Sequence, residues 1–331
     1  MTINTDRALG AVLGSAAGDA LGASYEFQPA VLPPTPIAWR AGGAGPWERG
    51  EWTDDTAMAI PLLDELAAGA DLRTDAALGR VVLRWLDWSK GAKDVGIQTR
   101  RVFGALERQL ERQSFGAGAD DTTADTAHVA RLCKVAAGQI HDVTGRSGGN
   151  GSLMRTGPVA LGYLGDEGSG GAEATAAAAR AQSDLTHFDA DTGDACVLWS
   201  LAIRHAILTG EIDLYAQLSA LPADRAEIWR GRIKDAEGLE PHQIKNNGWV
   251  AAAFQAAWSA IVRGSSLVDV LERAVRAGDD TDTVAAIAGS LAGAKYGASA
   301  LPKLWTDELH GWPSERAADL EAKVLLVVRR E

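Results

Sequence analysis

Two stretches of the chain carry glycine at every fourth position, and this spacing restricts how they can pack. Residues 6–23 and the segment Ala285–Gly297 both have the pattern of a helix. Their spaced glycines are Gly10, Gly14, Gly18 and Gly22 in the first, and Gly289, Gly293 and Gly297 in the second. On a helix such positions fall close to one stripe, and each glycine costs about 1 kcal/mol relative to alanine. We therefore predict that the two stripes lie near each other at the centre of the fold; the alternative is that each accepts bulky side chains from other helices.

Composition favours an all-α fold. Alanine, the best helix former, is abundant, and aromatic residues, which favour strands, make up only 6% of the chain. Residues 28–51 and 114–124 have the composition of loops. Helices are predicted at 6–23, 55–69, 74–90, 98–112, 125–138, 153–164, 172–183, 189–209, 213–220, 223–236, 248–263, 267–276, 283–296 and 315–328. With no convincing alternating strand, repeat or linker, residues 1–331 are interpreted as a single all-α domain.

Charge and cysteine content limit the partners and the compartment. The formal net charge of −12 disfavours general nucleic-acid binding and anionic membranes. Cys133 and Cys196 do not form a CxxC motif, and two reduced thiols fit a reducing compartment. No segment has the pattern of a transmembrane helix or signal peptide. We expect a cytoplasmic protein and take a monomer as the working expectation.

Two clusters of aspartate and threonine, each at a predicted helix start, carry the clearest chemistry. The first is Thr53-Asp54-Asp55-Thr56, and the second is Asp279-Asp280-Thr281-Asp282-Thr283. One carboxylate in a first helical turn is ordinary capping. Several adjacent carboxylates repel one another unless a cation neutralises them. Hard oxygen ligands of this kind suit magnesium, manganese or calcium rather than zinc.

A glycine-rich stretch precedes the helix predicted at 153–164. Its sequence is Gly148-Gly149-Asn150-Gly151-Ser152-Leu153-Met154-Arg155. Glycines let the backbone approach a ligand, and free N–H groups before a helix can hold phosphate. Alone, such a stretch is more often a flexible turn than an anion site.

The motifs of the chain, taken in order, resemble those of the ADP-ribosylglycohydrolase family. The resemblance covers about residues 8–297 and depends on the order of the motifs more than on any one of them. The matching segments are Gly18-Asp19-Ala20-Leu21-Gly22, Glu26, Thr53-Asp54-Asp55-Thr56, Asp94-Val95-Gly96, Asn150-Gly151-Ser152-Leu153-Met154-Arg155, Thr186-His187 and Asp280-Thr281-Asp282-Thr283.

The resemblance implies a single all-α domain with a central cleft that holds two Mg²⁺ ions, which Mn²⁺ could replace. By position, the implied metal ligands are Thr53, Asp54, Asp55, Asp280, Asp282 and Thr283. The residues implied to act in catalysis are Glu26, Asp55, Asp94 and Asp282. Those implied to contact the substrate are Gly149, Asn150, Gly151, Ser152 and His187.

Three further residues qualify this interpretation. Trp249 is a candidate wall for an adenine ring, although packing is the more common role of a tryptophan in a chain that has 11. Asp279 stands where many family members have glycine, and we expect it to point away from the metals. Pro61 interrupts a predicted helix, where a proline removes one hydrogen bond.

The implied activity is magnesium-dependent hydrolysis of the bond between ADP-ribose and a modified acceptor, which reverses ADP-ribosylation. The acceptor is not named by the sequence: it could be an arginine or serine side chain, a nucleic acid or a small metabolite. Two alternatives stay open. The first is a phosphoester hydrolase with two metal ions, and the second is a protein that binds ADP-ribose without cleaving it.

Overall fold

The computed structural model describes residues 3–114, 125–165 and 171–330 and is built almost entirely of helices. The α-helices in these ranges are α1 Thr5–Gly22, α2 Asp54–Ala67, α3 Asp75–Ser89, α4 Ile97–Ser114, α5 Thr126–Thr144, α6 Gly171–Ser183, α7 Ala190–Thr209, α8 Leu214–Gln217, α9 Ala223–Glu237, α10 Val250–Arg263, α11 Leu267–Val275, α12 Thr281–Tyr296, α13 Lys303–Glu308 and α14 Ala317–Val328. The all-α prediction is therefore confirmed. All but the first residue of the loop predicted at 114–124 lies outside the described residues.

The two glycine stripes face each other along the central helix pair. Helices α1 and α12 run antiparallel and pack more extensively than any other pair of elements in the described ranges. A Cβ atom added at Gly10 would lie 2.2 Å from the backbone oxygen of Gly293, and one at Gly14 would lie 2.5 Å from that of Gly289. The backbones meet directly, so the prediction of close approach is confirmed and the alternative of bulky inserted side chains is wrong.

This helix pair lies at the centre of a shell of other helices. Helices α7, α10 and α11 pack on α12, and α14 packs on both α1 and α2. Large aromatic side chains fill the space around the pair: the ring of Phe254 lies 4.8 Å from that of Trp199 and 4.9 Å from that of Trp229. Among the described residues, no helix combines the length and apolar character needed to cross a bilayer.

The helix predicted at 153–164 is wrong. The chain there forms a turn and then the 3₁₀ segment Gly157–Tyr163, and another 3₁₀ segment, Asn150–Ser152, lies just before this range. Pro158 has no N–H to continue a helical ladder, and glycine at position 157 further weakens an α-helix. The helix predicted at 213–220 is likewise shorter than expected, because α8 ends at Gln217 and the chain continues as a 3₁₀ turn. Pro61 lies inside α2, and the helix continues through it.

The C-terminal region contains elements that the sequence did not indicate. Helix α13 was not predicted, and neither was the antiparallel pair of β1 His310–Gly311 with β2 Glu315–Arg316. Each strand has two residues, which is too short to show an alternating pattern. The strand β2 takes up the first two residues of the helix predicted at 315–328.

Candidate active site

Helix α2 is capped by an aspartate from another helix. Asp19, at the buried end of α1, accepts hydrogen bonds from the backbone N–H groups of Thr53, at 2.9 Å, and Thr56, at 3.0 Å. Its carboxylate also accepts from both threonine hydroxyls, at 2.8 and 2.6 Å. Thr53 occupies the N-cap position, but its side chain makes no capping bond. Asp19 thus fixes the segment that carries Asp54 and Asp55.

The start of α12 brings the second aspartate cluster against the first. Its N-terminus meets the end of α1: the Thr281 hydroxyl donates to the backbone oxygen of Gly22 at 2.9 Å. Carboxylate oxygens within 4.8 Å of one another form two groups. The first group is Asp19, Asp55 and Asp282, and the second is Glu26, Asp280 and Asp282. Asp282 belongs to both groups.

These two groups fit a divalent cation. Burial and, after it, the neighbouring carboxylates raise the pKa values of Asp55 and Asp282 well above normal. In the described part of the chain, Asp55 Oδ1 is buried and has no hydrogen-bond partner. A buried acceptor without a partner destabilises the fold unless something satisfies it. Closely spaced oxygen donors of this type are the ligands that hard cations prefer.

The loop with Glu26 is locked to the loop with Asp280. The Phe27 N–H donates to the backbone oxygen of Asp279 at 2.6 Å, and the Asp279 N–H donates to that of Gln28 at 3.0 Å. Phe27 and Asp279 both have left-handed backbone conformations, with φ of 57° and 55°. The side chain of Asp279 is exposed. These two hydrogen bonds fix Glu26 beside the second acidic group.

The glycine-rich stretch is joined to the segment before α10 and to the acidic groups. Gly149 and Trp249 form an antiparallel bridge. The side chain of Asn150 donates to the backbone oxygen of Asn247 at 2.9 Å and to Asp280 Oδ2 at 2.8 Å. This stretch therefore lies next to the carboxylates and is held there by side-chain bonds.

A cavity of about 580 Å³ opens above the acidic groups, which is within the usual range for a small-molecule site. It brings together ten of the site residues predicted from the sequence. They are Glu26, Asp54, Asp94, Gly149, Asn150, Gly151, His187, Asp280, Asp282 and Thr283. Lys93, Arg101 and Arg146 also line it. Lys93 is paired with Glu51, so Arg101 and Arg146 give the local positive charge in a chain that is acidic overall.

Four other predicted site residues do not line this cavity. Thr53 and Asp55 are buried beneath it. Ser152 is fully buried, and its hydroxyl accepts a hydrogen bond from Ser183 at 2.8 Å. Trp249 is 38% exposed, and the Arg232 guanidinium lies 5.1 Å from the centre of its ring. Substrate contact by Ser152 and Trp249 stays a prediction.

Asp19 is one site residue that sequence reasoning missed, as it also missed the cavity-lining Lys93, Arg101 and Arg146. Asp19 matched a family motif, but we gave it no role, and its bonds to α2 follow from how the helices cross. One signal could have identified it. Asp19 is the one charged residue among the buried residues of α1, which are otherwise alanine, glycine, valine, leucine and serine. Such a group needs strong partners, since burying an unpaired charge is very unfavourable.

Acidic crowding predicts an unusual pH dependence of the metal-free protein. Burial and neighbouring carboxylates raise the pKa values of both Glu26 and Asp54 to about 8. Between their normal values and about 8, the folded protein therefore holds protons that the unfolded chain has released. Stability from these groups is present at low pH and is lost as pH rises through 8. In EDTA, we expect the melting temperature to fall between pH 5 and pH 8.

Scanning fluorimetry of the wild type and of Glu26→Gln would measure this effect. The variant lacks one of the raised groups, so its melting temperature should fall less steeply over the same pH range. A melting temperature in EDTA that rises toward pH 8 in the wild type, or an equal slope in the two proteins, would contradict the prediction.

The fold and the cavity define an all-α protein whose deep cleft has grouped carboxylates able to hold a metal ion. The family model described as ADP-ribosylglycohydrolase matches residues 1–330. The chain therefore belongs to the ADP-ribosylglycohydrolase family, which is a family of enzymes.

Individual relatives agree with this assignment. The chain is 31% identical over 316 residues to an ADP-ribosylarginine hydrolase of Pseudomonas putida, covering 92% of this chain and 74% of the relative. It is 28% identical over 315 residues to the ADP-ribosyl-[dinitrogen reductase] glycohydrolase of Rhodospirillum rubrum, covering 92% and 90%. A solved structure titled ADP-ribosylglycohydrolase-related protein complex is 27% identical, matches with a TM-score of 0.70 and covers 99% of both chains.

Proposed function

We propose that this enzyme removes ADP-ribose from arginine side chains in a magnesium-dependent hydrolysis. The observation that carries the proposal is the shared pocket: the Asp/Thr clusters at the starts of α2 and α12 meet beneath one cavity, next to the glycine-rich stretch. The relatives from Pseudomonas putida and Rhodospirillum rubrum are named for hydrolysing ADP-ribose conjugates. We also propose that the enzyme is cytoplasmic and monomeric.

The acidic groups would hold two magnesium ions. The proposed ligands are Thr53, Asp54, Asp55, Asp280, Asp282 and Thr283. When bound, magnesium would supply positive charge that orients the ribose hydroxyls and polarises the attacking water. Manganese has the same preference for oxygen ligands and is expected to substitute.

Glu26 is the proposed proton acceptor. It lines the cavity in one group with Asp280 and Asp282 and is not among the proposed magnesium ligands, so its carboxylate can act as a general base. Cleavage at an anomeric carbon passes through an oxocarbenium-like transition state. One oxygen of Glu26 would take a proton from the attacking water as the water oxygen bonds to the anomeric carbon. The bond from that carbon to the guanidine nitrogen would break, and the arginine would leave as a neutral guanidine that takes the proton from Glu26. Asp94, which also lines the cavity, would hold a ribose hydroxyl.

The mouth of the cavity has charges that match one end of the substrate. The cationic side chains of Arg101 and Arg146 suit a diphosphate, whereas Lys93 is already paired with Glu51. Among the acceptors left open by the sequence, the relative named for ADP-ribosylarginine favours arginine.

A panel of purified conjugates tests the proposal. ADP-ribosylarginine, ADP-ribosylserine and O-acetyl-ADP-ribose would each be incubated with the enzyme, with EDTA, MgCl₂ or MnCl₂ present. We expect intact ADP-ribose to be released from the arginine conjugate at least tenfold faster than from the others, and only with a divalent ion.

The products separate this proposal from its two rivals. Release of free phosphate or AMP would identify a phosphoester hydrolase instead. Tight binding of ADP-ribose in calorimetry, with no turnover of any conjugate in either metal, would identify a non-catalytic binder. Preference for the serine conjugate would overturn the assignment of the acceptor alone.

A further inference from the structure

A chain of buried polar side chains runs from the protein interior to the wall of the cavity. It consists of Arg155, Thr186 and His187, of which only His187 lines the cavity. Arg155 and Thr186 are fully buried, and His187 is 2% exposed. None of the three belongs to the acidic groups beneath the cavity.

Arg155 is held in one position at the inner end of this chain. Its Nε donates to Gln182 Oε1 at 2.9 Å, and its Nη2 donates to the backbone oxygen of Gln182 at 2.9 Å. The guanidinium also lies 4.2 Å from the centre of the Trp85 ring. From this fixed position, Nη2 makes a further bond of 2.9 Å to Thr186 Oγ1.

The bond to Arg155 determines the direction of the next hydrogen bond. Arginine has only donors, so Thr186 Oγ1 accepts from it. Thr186 Oγ1 also lies 2.8 Å from Nδ1 of His187. In the described ranges, no other acceptor lies within reach of the Thr186 hydroxyl. The Thr186 hydroxyl therefore donates its single proton to the Nδ1 lone pair. The opposite arrangement would leave that proton buried without a partner, which is unfavourable.

We propose that Arg155 and Thr186 are positioning residues that hold His187 as its Nε2–H tautomer, so that the ring presents a fixed donor to an oxygen of the ligand. The proposal rests on the proposed function for the identity of that ligand, ADP-ribose. His187 then recognises a phosphate or hydroxyl oxygen and does not remove a proton from the substrate.

The surroundings of the ring agree with this role. Burial and the nearby Arg155 charge lower the pKa of His187 to about 3, so the ring is neutral at working pH. Nε2 has no hydrogen-bond partner among the described residues. Two glycines flank it: a Cβ atom added at Gly149 would lie 3.3 Å from Nε2, and one at Gly151 would lie 3.2 Å away. Glycine at both positions keeps the approach to the donor open.

Nitrogen-15 spectra of the histidine rings test the tautomer directly, because protonated and unprotonated ring nitrogens resonate far apart. Three variants would be compared with the wild type. Thr186→Val removes the hydroxyl, and Thr186→Ser keeps it. Thr192→Val is the matched control, because the buried Thr192 hydroxyl donates to the backbone oxygens of His187, at 2.8 Å, and Asp189, at 2.7 Å, and not to a ring nitrogen.

We expect the Nε2–H form in the wild type, in Thr186→Ser and in Thr192→Val. Thr186→Val should show a mixture of both tautomers. An Nδ1–H ring in the wild type would overturn the proposal, and this spectrum decides the matter even if Thr186→Val does not fold. A folded Thr186→Val that keeps a pure Nε2–H ring would also overturn it.

Titration with ADP-ribose separates this proposal from the proposed function. We expect ADP-ribose to shift the Nε2–H signal and to bind Thr186→Val about tenfold more weakly, with Thr186→Ser and Thr192→Val close to the wild type. Binding that leaves the Nε2–H signal unmoved would overturn the donor role. If the wild type binds no ADP-ribose but shows the Nε2–H ring, the proposed function fails and the tautomer assignment stands.

Discussion

Asp282→Asn is expected to lower the rate of ADP-ribose release by about a thousandfold or more. Asp282 is the one residue common to both carboxylate groups in the described part of the chain. Asparagine keeps the shape of the Asp282 side chain but removes the charge that Asp282 contributes to each group. A metal ion contributes several kcal/mol to the stabilisation of a transition state, and each 1.36 kcal/mol is about a factor of ten in rate. Steady-state kinetics at saturating MgCl₂ would measure the loss.

The same substitution is expected to stabilise the protein in EDTA. Without a cation, burial and then the neighbouring carboxylates of Asp55, Glu26 and Asp280 raise the pKa of Asp282 well above normal. Folding therefore makes this carboxyl harder to ionise, which costs stability at neutral pH, and asparagine removes that cost. We therefore expect a higher melting temperature than that of the wild type in EDTA, and a smaller increase on adding MgCl₂. An aspartate with a purely structural role would lose stability instead.

Asp279→Asn is the matched control for this prediction. Asp279 lies in the same motif, but it is exposed and does not line the cavity. Its left-handed backbone, with φ of 55°, suits asparagine at least as well as aspartate. Activity and metal-induced stabilisation should both stay close to the wild-type values. If Asp282→Asn behaved like this control, the carboxylate groups would not be the metal site.

Local sequence patterns were enough to predict most helices, because each helix carries its own periodicity and end signals. The start of helix α5, for example, follows Asp125, whose side chain accepts from the Ala127 N–H at 3.1 Å. Its end was predicted at residue 138, whereas the helix runs to Thr144 and stops before Gly145, which has a left-handed conformation. The stretch 153–164 failed because its helix-like apolar pattern was outweighed by Gly157 and Pro158. The β1–β2 pair could not be predicted, since strands of two residues show no alternating pattern, and neither could the isolated bridge that His310 forms with the distant Glu51.

Some features of the candidate site could likewise be predicted from the sequence, and others could not. The proximity of the two Asp/Thr clusters could be predicted because both have the same pattern at a helix start, and like-charged clusters suggest a shared cation. The capping of α2 by Asp19 could not be predicted, because it depends on where α1 crosses α2. The direction of the Arg155–Thr186–His187 hydrogen bonds was equally inaccessible. It requires the positions of individual donor and acceptor atoms.

Gly293→Ala is expected to destabilise the fold by about 4 kcal/mol or more, which is exceptional for one methyl group. The new Cβ atom would lie 1.9 Å from the backbone oxygen of Gly10 and 2.6 Å from its carbonyl carbon. Neither atom can move unless helix α1 moves as a whole, and α1 is fully packed by its neighbours. Against this, alanine gains only about 1 kcal/mol in helix propensity. Chemical denaturation, or loss of soluble protein, would report the effect.

Two helical glycines provide the comparison that isolates the clash. At Gly231, inside α9, an added Cβ atom meets nothing within 4 Å, and at Gly104, inside α4, it meets only the end of the Arg108 side chain at 3.5 Å. Gly231→Ala and Gly104→Ala should therefore each stabilise the protein by up to about 1 kcal/mol. The same chemical change then has opposite effects, depending only on whether another backbone lies against the glycine.

The central helix pair also connects stability with the site, because α1 carries Asp19 and α12 begins with the second aspartate cluster. Glycine at the contact lets these two helices approach closely enough for the Asp19 and Asp282 carboxylates to share one group. The methyl group added in Gly293→Ala should therefore weaken the magnesium-induced rise in melting temperature, if this variant still folds. If Gly293→Ala were as stable as Gly231→Ala and kept the full response to magnesium, the direct backbone contact between α1 and α12 would be wrong.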